Sequence, residues 1–168
     1  PADIVYVGIA NAGEVVESDG ASLSHTIRLT NQVGGQTTPV VLADGEQVTV
    51  TLTYSGDTDD ADFETLTKEF VLEGDGEKSE FTLTNFVADD FLAEGTETYT
   101  VTLAIDSEAT TASFENVLVN PEADSATGSI KDEDTSAQDY QPDPADIVYV
   151  GIANAGEVVE SDGASLSH

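Results

Sequence analysis

The chain has 168 residues and sets 34 carboxylates against four basic side chains (Arg28, Lys68, Lys78, Lys131), for a formal net charge of −30. That sign disfavours nucleic acid and anionic lipid, both of which are bound through cationic groups. Cysteine, methionine and tryptophan are absent, which excludes disulfides and thiolate metal sites and points to hard cations with oxygen ligands, Ca²⁺ more than Mg²⁺.

In chain order the hydrophobic period is two. Asp3–Ile9 (DIVYVGI), Ser24–Thr30 (SHTIRLT) and Gln47–Tyr54 (QVTVTLTY) alternate apolar and polar residues, the last with Val48, Val50, Leu52 and Tyr54 on one face. Glu69–Leu72, Glu80–Thr84 (EFTLT), Glu97–Ile105 (ETYTVTLAI) and Thr127–Ile130 continue the pattern, with weaker strand signals at Val40–Ala43 and Ser113–Val119. Alternation of this kind, rich in β-branched and aromatic residues, marks half-buried strands. The GDGE turn at Gly74–Glu77 predicts a hairpin joining the strands around Phe70 and Phe81. Val87–Glu94 has room for one turn of 3₁₀ or α helix, and no longer helical pattern occurs. Many short strands in a chain of this size predict an all-β, two-sheet antiparallel, immunoglobulin-like sandwich. Two segments, 31–46 and 106–124, exceed ordinary hairpin loops and are expected to carry function or a short extra strand. No apolar run approaches the roughly 20 residues of a membrane helix, so membrane insertion is not expected.

Residues 1–25 recur without change as residues 144–168, a period of 143. Identity that includes surface positions goes beyond what folding demands, since most surface substitutions are tolerated within about 0.5 kcal/mol. It reads as near-identical copies in tandem, an arrangement that adds length with each copy. The expected organisation is a complete sandwich over residues 1–135, a polar, proline-containing linker over 136–143 (SAQDYQPD), and the incomplete start of the next repeat over 144–168. Because the second copy equals the first, residues 144–168 are also expected to allow a strand swap between molecules.

Acidic residues gather beside the strands: Glu17 in VVESDG; Asp57, Asp59, Asp60, Asp62 and Glu64 in GDTDDADFE; Asp89, Asp90 and Glu94 in VADDFLAE; Asp132, Glu133 and Asp134 in KDED; and Asp139, Asp143 and Asp146 across the linker. Crowded carboxylates raise one another's pKa unless a cation holds them ionised. An EF-hand starting at Asp57 is excluded, because its sixth and twelfth positions hold Asp62 and Lys68 in place of glycine and glutamate. Asp57, Asp59 and Asp60 read as solvated or peripheral. No nucleophile elbow, phosphate loop or HExxH motif is present, and one histidine per repeat (His25, His168) reads as structural or exposed, so an enzyme is not expected.

In order along the chain, VVESDG (Val15 to Gly20), DF (Asp62 and Phe63), EGDGE (Glu73 to Glu77), FVADDFLAEGTETYTVTL (Phe86 to Leu103) and GSIKDED (Gly128 to Asp134) resemble the Calx-beta domain over roughly 130 residues, the last two blocks most specifically. The segment after the second strand and the stretch 106–124 are longer than that pattern. The resemblance implies a Calx-beta-like sandwich with Ca²⁺ at one pole, near the junction with the next module. The ligands it implies are Glu17, Asp62, Asp89, Asp90, Glu94, Asp132, Glu133 and Asp134. It further implies a repeat of a large bacterial RTX-type surface adhesin exported by type I secretion, hence an extracellular, cell-surface setting. There the expected role is a structural extender, rigidified by Ca²⁺ and partnered by neighbouring identical repeats, that projects a distal binding domain. The alternative is a ligand-binding adhesin domain that recognises a sugar, protein or surface through its long loops. A calcium-sensing module like those of ion exchangers is a third reading, weakened by the tandem identity.

Overall fold

The computed structural model describes residues 4–90, 94–133 and 150–153. Ten strands form among them: β1 (Ile4–Ile9), β2 (Gly13–Val16), β3 (Ser22–Thr30), β4 (Gln47–Gly56), β5 (Phe63–Thr65), β6 (Glu69–Glu73), β7 (Glu80–Val87), β8 (Thr96–Thr111), β9 (Asn116–Val119) and β10 (Ser125–Lys131). They build two five-stranded sheets, ordered β5-β7-β3-β1-β9 and β2-β10-β8-β4-β6. The protein is therefore the all-β, two-sheet sandwich that the alternation predicts. The inner faces meet in a core of Val5, Val7, Ile9, Ile27 and Leu29 from one sheet and Val48, Val50, Leu52, Val101 and Leu103 from the other, all buried.

The first strand is divided between the sheets. β1 pairs antiparallel with β3, while β2 pairs parallel with β10. The exchange falls at Ala10–Ala12, where the Ala10 N–H still donates to Thr26 O and the Ala12 N–H donates to Thr127 O, each at 2.9 Å. β9 also joins its sheet in parallel, alongside β1. Both parallel pairs lie at sheet edges, and the remaining pairs are antiparallel.

Two sequence expectations are corrected. The strands around Phe70 and Phe81 do not form a hairpin: β6 and β7 lie in different sheets. A turn does occupy Gly74–Lys78, where Asp75 Oδ1 accepts the N–H groups of Glu77 and Lys78. However, the Gly74 N–H donates to Glu46 O and a Cβ on Gly74 would stand 2.0 Å from Ala43 O, so the chain is pinned to the 43–46 segment and crosses between the sheets. Val40–Ala43 is not a strand. Its Val40 and Leu42 N–H groups donate to Leu29 O and Lys78 O, and Leu42 plugs the core end fully buried. The 106–124 stretch does hold a short extra strand, β9 at 116–119, and β8 runs on to Thr111. Residues 91–93 of Val87–Glu94 lie outside the described residues; a 3₁₀ turn forms at Asp60–Asp62.

Tyr99 is the hub between the sheets. Its ring is fully buried, with centroids 5.6 Å from each of His25, Tyr54 and Phe63. Gly128, opposite Tyr99 on β10, leaves room for it, because a Cβ there would lie 2.5 Å from the Tyr99 hydroxyl.

Candidate metal centre

Strand direction gathers the carboxylates. β2, β7 and β10 end at the pole of the sandwich where β5 and β8 begin, as the pairs Lys131↔Val16, Lys131↔Thr96 and Phe63↔Val87 show. β4 finishes there too, with Gly56 opposite Tyr99. Residues just past these ends therefore converge whatever their separation in sequence.

The inner stripe of each strand, read two residues at a time, passes from apolar to acidic at this pole. On β8, Leu103, Val101 and Tyr99 are buried and Glu97 comes next. On β10, Ala126, Gly128 and Ile130 lead to Asp132, and on β7 Leu83, Asn85 and Val87 lead to Asp89. Val15 precedes Glu17 in the same phase, and Asp62 adjoins buried Phe63. Glu17, Asp62, Asp89, Asp90, Glu97 and Asp132 are all half-buried, whereas Glu94 is exposed.

Two lobes are distinguishable. In the first, Glu17 Oε1 accepts the Asp90 N–H at 3.0 Å, and the Glu17 N–H donates to Lys131 O at 2.8 Å. Burial pushes the Glu17 carboxyl up to about 7; the Asp90 N–H offsets part of this, and the charges of Asp90, Asp132 and Asp89 add to it. In the second lobe, carboxylate oxygens of Asp62, Glu94 and Glu97 lie within 4.8 Å of one another. Desolvation raises Glu94, helped by Asp62, Asp90, Asp132 and Asp59. Desolvation likewise raises Glu97, with Asp62, Glu94, Asp57 and Asp59 adding to the effect. Because Glu94 feels Asp90 and Asp132, the lobes form one electrostatic unit.

Local hydrogen bonds hold the frame. Asp132 Oδ2 accepts the Gly95 N–H at 2.7 Å, tying the start of β8 to the end of β10. Asp62 closes a capping box with Asp59, and the Ala88 N–H donates to Asp62 O at 2.9 Å. A donor set made only of carboxylate and carbonyl oxygen suits a hard cation. Two oxygens each about 2.4 Å from a calcium ion can be no more than about 4.8 Å apart, and the carboxylate oxygens of Asp62, Glu94 and Glu97 lie within that limit.

The structure thus brings seven of the eight residues carried over from the resemblance to one pole: Glu17, Asp62, Asp89, Asp90, Glu94, Asp132 and Glu133, which follows Asp132 half-buried. Asp134 lies outside the described residues, as do Asp139, Asp143 and Asp146. Glu97 was not among those eight. Its signal was its phase, two residues before Tyr99 on a stripe that turns inward. Asp60 is bound up elsewhere, in an exposed ion pair with Lys68 at 2.9 Å, and Asp59 serves as the cap.

No protein-family model matches the chain, and no curated protein matches it. Among solved structures it is similar to the apo-form Calx CBD1 domain (18% identity, 78% of this chain and 97% of that one, TM-score 0.48). It is similar also to the calcium binding domain CBD12 of CALX1.1 (18%, 77% and 44%, TM-score 0.44). A CARDB domain from Pyrococcus furiosus in complex with di-metal ions is a further match (15%, 76% and 91%, TM-score 0.32). Likeness of this grade gives no residue correspondence; the sandwich stands on its own strand pairing.

Proposed function

We propose that this chain is a calcium-stiffened spacer: a structural, non-catalytic extender module of a long secreted bacterial adhesin. The observation that carries the reading is the placement of the acidic pole. β1 begins at the opposite pole, as the pair Tyr6↔Thr30 at the end of β3 shows, while β10 delivers the chain into the carboxylate cluster. A module whose first strand starts at one end and whose last strand stops at the other stacks head to tail with an identical copy, and the 143-residue repeat supports such copies. The cluster then stands at the joint. Glu17, Asp62, Asp89, Asp90, Glu94, Glu97 and Asp132 would hold Ca²⁺, which neutralises their mutual repulsion and fixes the joint. The extracellular surface is the setting that this reading assigns, with neighbouring repeats and calcium ions as partners.

The second copy of the opening sequence also belongs to this reading. Val150 and Ile152, the counterparts of buried Val7 and Ile9, are 95% and 81% exposed. In an array they would be covered by the remainder of the next module. The strand swap through residues 144–168 is weaker on energetic grounds, since each exchange exposes one identical strand to bury another and still costs association entropy. Recognition through the 31–46 and 106–124 loops has less support, because Phe114, their one aromatic residue, packs against the core.

Melting the chain in excess chelator and in millimolar Ca²⁺ tests the proposal. At free Ca²⁺ about 100-fold above the dissociation constant, each native-state site adds about 2.7 kcal/mol. Superimposed melting curves would overturn the calcium assignment.

A further inference from the structure

We propose that His25 is an acid sensor at the base of the acidic pole: its neutral form links the sheet-switching segment of the first strand to Tyr99 in the core, and protonation reverses the Tyr99 link. His25 is fully buried, with Nδ1 2.8 Å from Ala10 O and Nε2 2.7 Å from the Tyr99 hydroxyl. A carbonyl only accepts, so Nδ1 carries the proton and Nε2 accepts the Tyr99 O–H. The neighbouring polar groups are satisfied beside it. The Asn85 amide donates to Tyr54 Oη at 3.0 Å, and Asn85 Oδ1 accepts the Thr67 N–H at 3.0 Å. The Tyr54 O–H donates to Thr67 O at 2.8 Å. Donation therefore runs Tyr99 to His25 to Ala10.

A second proton on the imidazole reverses one link and strands another. Nε2–H would face the Tyr99 oxygen, and the Tyr99 proton would have to turn away from its acceptor. From β8 the facing titratable group is Tyr99, with Tyr54 of β4 behind it. β7 presents Leu83 and Asn85, β5 presents Phe63, and the end of β1 presents the Ala10 carbonyl. None of these supplies a carboxylate to balance an imidazolium. Burial accordingly holds the imidazole below its ordinary value, offset in part by the Ala10 carbonyl.

The consequence reaches the pole through the backbone. Ala10 is where the chain leaves one sheet for the other on its way to Glu17, Tyr99 shares its inner stripe with Glu97, and Phe63 follows Asp62. With the folded value depressed, the unfolded chain takes up the proton first. The stabilisation is complete above about pH 6.5 and is lost as the pH falls from there toward the folded value.

The test is the unfolding equilibrium of the full chain in chelator, from about pH 7.5 down to about pH 5 across the ordinary histidine range, beside His25→Gln. Glutamine offers an N–H to Ala10 and an oxygen to Tyr99 without titrating. As the pH falls, the ratio of wild-type to variant unfolding constants should rise by up to about tenfold per pH unit, the limit for one proton. Parallel profiles overturn the proposal. Should His25→Gln not fold, proton NMR of the His168→Gln chain reads His25 directly. The expectation is no titration while the native spectrum persists near the ordinary histidine value, and titration there with the native spectrum intact overturns it.

Discussion

Replacing Tyr99 by Phe removes one oxygen and keeps the ring among His25, Tyr54 and Phe63. The loss is larger than one hydrogen bond. His25 Nε2, 2.7 Å away, is left without its donor in a site with no solvent access at Tyr99 or His25. A buried polar group left unsatisfied costs about 1–3 kcal/mol, so the loss should be about 2 kcal/mol. With an unfolding entropy of about 2.1 cal/mol/K per residue, a sandwich of about 130 residues has about 0.27 kcal/mol/K, and its melting temperature should fall by about 7 °C. Calorimetry or circular dichroism in saturating Ca²⁺ measures the change. A drop below about 1 kcal/mol would refute the network, as a typical net bond alone would account for it. The double variant with His25→Gln should lose less than the sum of the singles, because both act on one bond.

Glu17 makes a pH prediction of its own. Its folded value, raised to about 7, means that in the metal-free protein its contribution to stability is full below the unfolded value and is lost as the pH rises through about 7. Cation binding near pH 7 should therefore release protons, seen as a calorimetric binding enthalpy that varies with the ionisation enthalpy of the buffer, and Glu17→Gln should remove that dependence. Asp62→Asn and Glu97→Gln should each weaken Ca²⁺ affinity at least about tenfold, the scale of one lost hard-oxygen ligand. Asp60→Asn, which disturbs only an exposed ion pair with Lys68, should leave the affinity unchanged and shift stability by less than about 1 kcal/mol.

What the sequence made legible follows from period and position. β1, β3, β4, β7, β8 and β10 alternate strongly, so their existence and inward faces could be read directly. β2 and β5 could not: GEVV shows no clean alternation and pairs at an edge, and β5 has only three residues. The Gly74–Lys78 turn was real, yet turn chemistry does not say which sheet receives the next strand. Here the contact of Gly74 with Ala43 made that choice, and it lies far off in sequence. The acidic pole was legible because its carboxylates sit where strands stop. Glu97 was harder to see because it opens ETYTVTLAI as a strand residue, and its role appears only once Tyr99 is known to face the core.

Small-angle scattering of two-repeat and four-repeat proteins, with and without Ca²⁺, tests the extender account most directly. Ile4 to Glu17 runs from one pole of the module to the other, and at about 3.3 Å per residue this gives a length of about 45 Å. In Ca²⁺ the four-repeat protein should be longer than the two-repeat protein by about 90 Å, and chelator should shorten both and broaden their distance distributions. A maximum dimension that does not grow with repeat number, or one that chelator leaves unchanged, would contradict the account.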